Sequence, residues 1–204
     1  MTRWFTTLLI TLLTASSAIG DSAGPLTLRD GQVLRGHFVQ ERRLLGLQAP
    51  LRSDGRFTLA PGHGLAWMTE RPFAINTIIT KAGLVQELDG DRTLSLPADR
   101  LPFLTKLYGM ISGALSGDWG ALESDFDLVR GDVDKGWRVE LTPRRPDDPA
   151  MPFRSIALAG GQFVETITLS RPNGDVDHLV FSAQALSSSP LSIEETAAFA
   201  APPQ

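Results

Sequence analysis

Residues Leu34–Glu41 read LRGHFVQE, and two sets of side chains alternate along this stretch. One set includes Leu34 and Phe38, and the other includes Arg35 and His37. Because successive side chains of a β-strand point to opposite faces, this period of two predicts a strand.

Ten further segments have the length of strands, apolar or β-branched residues, and Gly, Pro, Asn or Asp at their ends. They are Arg52–Ala60, Leu65–Glu70, Ala74–Lys81, Leu84–Leu88, Thr93–Leu96, Phe126–Arg130, Trp137–Thr142, Arg154–Ala159, Phe163–Arg171 and Asp177–Ala183. The Asn173-Gly174 pair between the last two predicts a hairpin turn with positive φ.

One stretch, which begins at Leu101, has helical spacing. Its apolar residues fall on one helix face at Leu104, Leu107, Tyr108, Ile111 and Leu115. Shorter helices are predicted at Trp119–Ser124, Asp21–Asp30 and Ser192–Ala200. The fold class is therefore mainly β with a helical insert. A sheet of this many antiparallel strands tends to curl, and the amphipathic helix would bury its apolar face in the concavity.

The N-terminus has the three parts of a secretory signal peptide. A basic start at Arg3 precedes the apolar run Leu8–Leu13, and small residues from Ala15 to Gly20 follow. The apolar run is too short to span a bilayer, which takes about 20 residues. We expect residues 1–20 to be removed and residues 21–204 to form one exported domain.

The composition excludes several classes of protein. The chain has 204 residues, no cysteine and a formal net charge of -4. Without cysteine there is no disulfide scaffold, thiol nucleophile or lipidated N-terminal cysteine, and the acidic balance disfavours nucleic-acid binding. Three scattered histidines make a metal site unexpected.

No catalytic motif is found in the sequence, so we expect no enzyme and no cofactor. Paired acids such as Asp89 and Asp91 fall in turns, where Asp is favoured without catalysis. A Ser/His/Asp site built on His63 or His178 stays open, because such sites are recognised by geometry and not by sequence order.

Two motifs carry a family resemblance. The first is Gly36-His37-Phe38-Val39-Gln40. The second begins at Gly55-Arg56-Phe57 and continues through Pro61, Leu65-Ala66-Trp67, Pro72-Phe73, Ile78-Ile79 and Gly83. Over Gly36–Leu96 the chain resembles the periplasmic outer-membrane lipoprotein carrier family, LolA, and its LolA-like relatives.

The resemblance implies an unclosed antiparallel β-barrel, covered by helices, with an apolar cavity for acyl chains. It implies a lipoprotein or other acylated cargo, an inner-membrane release complex as donor and an outer-membrane acceptor. Established carriers have an arginine before the L-x-W-like segment that keeps the lid closed, whereas this chain has Pro61-Gly62-His63-Gly64 there. Arg56 and Arg71 are the nearby candidates for latching a lid.

Candidate cavity residues come from the sheet and from the helix that would face it. They are Phe38, Phe57, Trp67, Phe73, Ile75 and Ile79 on the sheet, and Leu104, Leu107, Tyr108, Met110, Ile111 and Leu115 on the helix. Ordinary core packing would use the same residue types. The leading hypothesis is a monomeric periplasmic carrier, and the alternatives are a binding or structural module of the envelope and a hydrolase.

Overall fold

The computed structural model describes residues 26–100, 120–133, 136–147 and 153–200. The strands are β1 (Val33–Arg43), β2 (Leu51–Ala60), β3 (Gly64–Arg71), β4 (Ile75–Thr80), β5 (Gly83–Leu88), β6 (Asp91–Pro97), β7 (Phe126–Val133), β8 (Gly136–Pro143), β9 (Ser155–Gly160), β10 (Val164–Ser170) and β11 (Val176–Ser187). A 3-10 turn follows β6 at Ala98–Arg100, and the helices are α1 (Gly120–Glu123) and α2 (Ile193–Ala200).

All eleven strands join one antiparallel sheet in the order β6-β5-β4-β3-β2-β1-β11-β10-β9-β8-β7. The first and last strands pair at its centre, and β6 and β7 end the sheet without pairing with each other. The sheet is therefore not closed into a barrel. Each of the eleven predicted strands is confirmed, and Gly174 has the predicted positive φ, 90°.

The predicted short helices have mixed outcomes. Those at Trp119–Ser124 and Ser192–Ala200 are confirmed as α1 and α2. The predicted helix over Asp21–Asp30 is wrong from residue 26 onward, where the chain is extended and then turns. There the backbone N–H of Leu26 donates to the carbonyl of the distant residue Gln162 (2.7 Å), whereas in a helix it would donate to the carbonyl four residues earlier. The amphipathic helix from Leu101 lies outside the described residues.

The sheet is curled, as the contact between two aromatic rings shows. Phe181 of β11 lies three strands from Trp67 of β3, a distance of about 14 Å in a flat sheet. Their ring centroids are only 6.1 Å apart. The rings converge because their shared face is concave. We call this the inner face and the opposite one the outer face.

A buried carboxylate joins the strands at the centre of the sheet. Asp177 of β11 is 1% exposed. Its oxygens accept hydrogen bonds from Gln40 (3.1 Å) and Arg42 (2.5 Å) of β1 and from Arg171 (2.9 Å), which follows β10. Burial raises the pKa of Asp177, but these hydrogen bonds outweigh it and leave the pKa below its usual value. The cluster therefore holds an ionised carboxylate inside the sheet.

Helix α2 lies against part of the outer face of β1 to β4. Residues 57–60 of β2 are buried on both faces, so small side chains such as Thr58 and Ala60 are enclosed on the outer side. Helix α2 contacts β3 and β4. Glu195 of this helix binds Arg35 of β1 through two hydrogen bonds (2.8 and 2.6 Å) and accepts another from the Thr58 hydroxyl (3.1 Å).

Glu195 also caps the helix that it anchors. Its carboxylate accepts the backbone N–H of Ser192 (2.8 Å), and the Ser192 hydroxyl accepts the N–H of Glu195 (3.1 Å), which is a capping box. The hydrogen bonds from Arg35 lead the causes that lower the pKa of Glu195 from 4.5 to about 2, against an opposing effect of burial.

Neutralising Asp177 should weaken the sheet at its centre. We expect Asp177→Asn to lower the free energy of unfolding by about 3 kcal/mol, because two arginines lose the buried charge that they surround. Urea unfolding at pH 7 measures this. Glu41→Gln is the matched control, since Glu41 is a partly exposed acid whose ion pair with Arg52 is long (4.0 Å). Equal stability of the two variants would contradict the role given to Asp177.

Glu195 should make stability depend on acid pH. Its pKa is lowered on folding, so its contribution is complete above about pH 4.5 and is lost as the pH falls towards 2. Urea unfolding between pH 2.5 and 7 should show a smaller loss of stability on acidification for Glu195→Gln than for the native chain. The same change at the adjacent exposed Glu194 should leave the native slope, and a native slope in Glu195→Gln would contradict the assignment.

Candidate functional site

The centre of the inner face is a cluster of four aromatic side chains. Phe38 stacks on Trp67 with ring centroids 3.8 Å apart, and Phe57 lies 6.3 Å from Trp67. Phe181 meets Phe57 edge to face at 5.4 Å. Phe38 and Phe57 are 1% and 2% exposed, whereas Trp67 is only partly buried. The cluster thus has a packed base and one indole that reaches the surface of the concavity.

Glycines make room for these rings. Gly36 pairs with Phe57 and Gly55 with Phe38 on the neighbouring strand. A Cβ on Gly36 would lie 2.7 Å from Cε1 of Phe57, and one on Gly55 would lie 2.0 Å from the carbonyl oxygen of Met68. Phe57 and Phe38 therefore each lie across from a residue without a side chain, and at Gly55 this also lets the backbone of β3 approach closely. This arrangement gives the Gly-x-Phe pattern of both sequence motifs a physical reason.

Five of the six sheet residues predicted for the cavity share the inner face. The register pairs Trp67 with Phe57, and it places Ile75 and Ile79 of β4 on the same side. Ile79 is 6% exposed, and Ile75 is partly buried. Their binding of a cargo stays a prediction.

Phe73 is placed elsewhere. It lies between β3 and β4, directly after the cis Arg71–Pro72 peptide bond, and is 67% exposed. The six helix residues predicted to face the sheet, Leu104, Leu107, Tyr108, Met110, Ile111 and Leu115, lie outside the described residues.

The two arginines predicted to latch a lid form ion pairs within the sheet. Arg56 binds Glu70 (2.6 Å), and Arg71 binds Asp54 (2.9 Å). Both pairs join β2 to β3, and both guanidinium groups are more than half exposed. The hydrogen bond to Asp54 is the main cause that raises the pKa of Arg71. Their role at a lid stays a prediction.

Much of the inner face comes from strands in the C-terminal half, none of which contributes a residue to the predicted site. Buried members include Phe181 and Leu179 of β11 and Leu158 of β9. Apolar side chains packed beside this core remain partly exposed on both halves of the sheet; they include Leu84, Leu128, Ile167, Leu169 and Leu186. The period of two in β8, β9 and β11 is the sequence signal that identifies this face.

Gln40 has the cross-strand structural role that its position suggests, as a donor to Asp177. The Asp177 cluster lies on the inner face beyond Leu179 and ends the apolar surface on that side. Arg171 also lies over the ring of Phe153 at 5.4 Å. Charged groups thus border the apolar core of this face, which also carries the hydrogen-bonded pair Thr77 and Gln86.

A separate cavity of about 360 Å³ opens on the outer side. It lies between the start of β1, the turn from β2 to β3 and α2, where Val33, His63 and Thr196 contribute to its lining. Its described lining contains no carboxylate, lysine or arginine. It therefore has little with which to select a charged ligand.

The three histidines lie at the surface. His37 and His178 are exposed on strands, His63 is exposed in a turn, and His178 hydrogen-bonds to Thr168 (3.1 Å). Among the described residues, no group of three or more His, Cys, Asp or Glu side chains could hold a metal ion. Nor do these residues include a helix that is long and apolar enough to cross a membrane.

Several solved structures are similar at low sequence identity. A LolA superfamily protein from Nitrosomonas europaea is 12% identical, with 79% of this chain and 88% of that chain covered and a TM-score of 0.42. A DUF1329 family protein from Desulfovibrio piger is 11% identical, with 78% and 87% covered and a TM-score of 0.40. The MucA/MucB complex of Pseudomonas aeruginosa gives 15% identity, 80% and 54% coverage and a TM-score of 0.38.

No curated protein matches the chain. A family model described as "Outer membrane lipoprotein carrier protein LolA-like" matches residues 26–200. That match spans most of the sequence and agrees with the motifs between Gly36 and Leu96. The protein therefore belongs to the LolA-like family of outer membrane lipoprotein carrier proteins.

Proposed function

We propose that this protein is a periplasmic carrier that binds the acyl chains of lipoproteins, or of another acylated cargo, on its inner face. The observation that supports this most directly is the incomplete burial of that face. Trp67, Leu84 and Leu128 belong to the apolar surface around the core, yet each keeps part of its side chain exposed. An apolar ligand would cover these surfaces.

The chemistry of the inner face suits acyl chains better than polar ligands. The described residues at its centre are mainly aromatic and aliphatic. The charged Asp177 cluster lies at the border, where the carboxylate oxygens already accept hydrogen bonds from Gln40 and Arg171. Each CH₂ transferred from water to such a surface contributes about 0.8 kcal/mol. A chain of ordinary fatty-acid length would thus bind by non-directional contact, which accepts cargoes that differ in their protein part.

Release must also be possible for a carrier. The sheet is open between β6 and β7, so a cargo has a way out that a closed barrel would deny. The glycine-containing helix predicted from Leu101 is the candidate lid, because each interior glycine lowers helix stability by about 1 kcal/mol and favours opening. Transfer from an inner-membrane release complex to an outer-membrane acceptor completes the proposed cycle, in a chain exported by residues 1–20.

Bromine quenching of tryptophan fluorescence tests this proposal. We expect a fatty acid brominated near the middle of its chain to quench Trp67, since the indole lies at the surface of the inner face. The unbrominated acid should bind without quenching. In Trp67→Phe the quenching should fall, and any quenching that remains would come from the other tryptophans of the chain, among them Trp137, whose buried indole (5% exposed) donates to the Gly161 carbonyl. Absence of Trp67-dependent quenching would contradict inner-face binding.

A matched pair on β7 separates the two faces. Leu128 packs against the inner core, whereas its neighbour Val129 points outward and is 69% exposed. We expect Leu128→Gln to weaken fatty-acid binding about tenfold, because a polar amide replaces apolar contact surface. Val129→Gln should bind like the native chain. A fluorescent fatty acid titrated into each variant measures this, with thermal unfolding to show that both are folded, and equal affinities would argue against the proposed site.

A further inference from the structure

The hairpin between β1 and β2 ends in an exposed group of leucines. Residues 44–51 read LLGLQAPL, and we call this segment the leucine tip. Leu45 is 78% exposed, Leu47 56% and Leu51 54%. Scattered apolar side chains are common on protein surfaces, but three exposed leucines within seven residues form a patch that suggests a contact.

The leucine tip is a fixed turn. The N–H of Leu47 bonds to the carbonyl of Leu44 (3.1 Å), and Gly46 takes the positive φ of 93° that this turn needs. The N–H of Leu45 donates to a carboxylate oxygen of Asp175 in the turn between β10 and β11 (2.9 Å). Since hydrogen bonds hold the backbone from two sides, the leucines are already in position, and binding to a partner costs little backbone entropy.

Arginines lie directly behind the leucines. Arg43 is exposed at the end of β1, and Arg52 (64% exposed) follows Leu51 as the second residue of β2. Arg42 and Arg171 lie near them and share one carboxylate, Asp177, so their cluster keeps a net positive charge. The remaining acids beside the tip are Glu41 and Asp175. On a chain of net charge -4, this end is locally basic.

We propose that the leucine tip docks the protein on the surface of a bilayer that contains anionic phospholipid. The leucines would enter the boundary between headgroups and acyl chains, and Arg43 and Arg52 would lie at the level of the phosphates. The acidic remainder of the chain would be repelled by the same surface, so this end would face it. The inference rests on the proposed function, because a carrier of acyl chains exchanges them at membranes.

Charge complementarity favours an anionic bilayer over a protein groove as the partner of the leucine tip. A purely apolar protein groove would be matched by leucines alone, whereas leucines backed by arginines match a layer that is apolar inside and anionic at its surface. The Asp177 cluster, at the polar border of the inner face, lies behind the same end of the hairpin. Docking there would bring the border of the cargo site close to the bilayer.

Vesicle flotation tests the proposal, with phosphatidylethanolamine/phosphatidylglycerol vesicles and pure phosphatidylcholine vesicles as probes. The native protein should float with the anionic vesicles and more weakly with the neutral ones. We expect Leu45→Ser combined with Leu47→Ser to weaken binding to anionic vesicles at least about tenfold. Val129→Ser, which removes an equally exposed apolar side chain from β7, should bind like the native protein.

The arginines have their own readout. Arg43→Gln and Arg52→Gln should each weaken binding to the anionic vesicles about fivefold at low salt and leave binding to neutral vesicles unchanged. If both arginine variants bound anionic vesicles as tightly as the native protein, the contact with headgroups and the proposal that depends on it would be overturned. Native-like vesicle binding by the double leucine variant would also overturn the proposed membrane docking. If that variant bound vesicles normally but no longer transferred cargo, the leucine tip would be assigned to a protein partner instead.

Failure of this proposal can be told apart from failure of the carrier function. Quenching of Trp67 by a brominated fatty acid reports on the inner face and involves no vesicle. The double leucine variant should keep that quenching in full. A native chain that is quenched but does not float would retain the proposed function and lose the membrane docking proposed here.

Discussion

The pairing of the first strand with the last is the constraint on which the rest of the sheet depends. Until β1 meets β11, the two halves of the chain are separate antiparallel segments, each with an open edge at what becomes the centre. The buried carboxylate of Asp177 fixes how they meet, because Gln40 and Arg42 of β1 reach it only in one register, whereas Arg171 reaches it from the same half of the chain. A shift by one residue would turn Arg42 to the outer face and leave the buried Asp177 with Arg171 as its one remaining cation in this cluster, a change more costly than loss of one apolar contact.

The same register builds the apolar site. With Arg42 opposite Asp177, Phe38 comes opposite Phe181, and curling of the sheet brings Trp67 over both. An ordinary side chain at position 36 would collide with the ring of Phe57, and one at position 55 would collide with the backbone of β3; Gly36 and Gly55 remove both conflicts. A charged cluster and a glycine pattern, neither of which would bind a cargo, thus determine where the apolar surface lies.

The sequence predicts the strands well because antiparallel strands with one buried face show their period directly, as Leu34–Glu41 does. It predicts the inner face of β1 to β4 because the Gly-x-Phe motifs are local. Phe73 departs from that face because a turn, and not a strand, holds it, and a string of spaced apolar residues does not reveal where a strand ends. The family motifs fade after Leu96, so they do not identify Phe181 and Leu179 as part of the inner face. The role of Asp177 depends on residues more than 130 positions away, so no local pattern could show it.

An open sheet that belongs to a carrier family must keep its core and its binding surface apart, although both are apolar. In this chain the two sets of apolar side chains differ in how deeply they are buried. Phe38, Phe57 and Leu158 are enclosed and hold the sheet together, whereas Trp67, Leu84 and Leu169 lie above them and stay partly exposed. Stability therefore does not require the upper layer to be filled. On the outer side, α2 contacts β3 and β4 and is joined to β1 by the bond between Glu195 and Arg35, so this part of the fold is held without the upper layer of the inner face. In the proposed function, that upper layer is where an apolar ligand would bind.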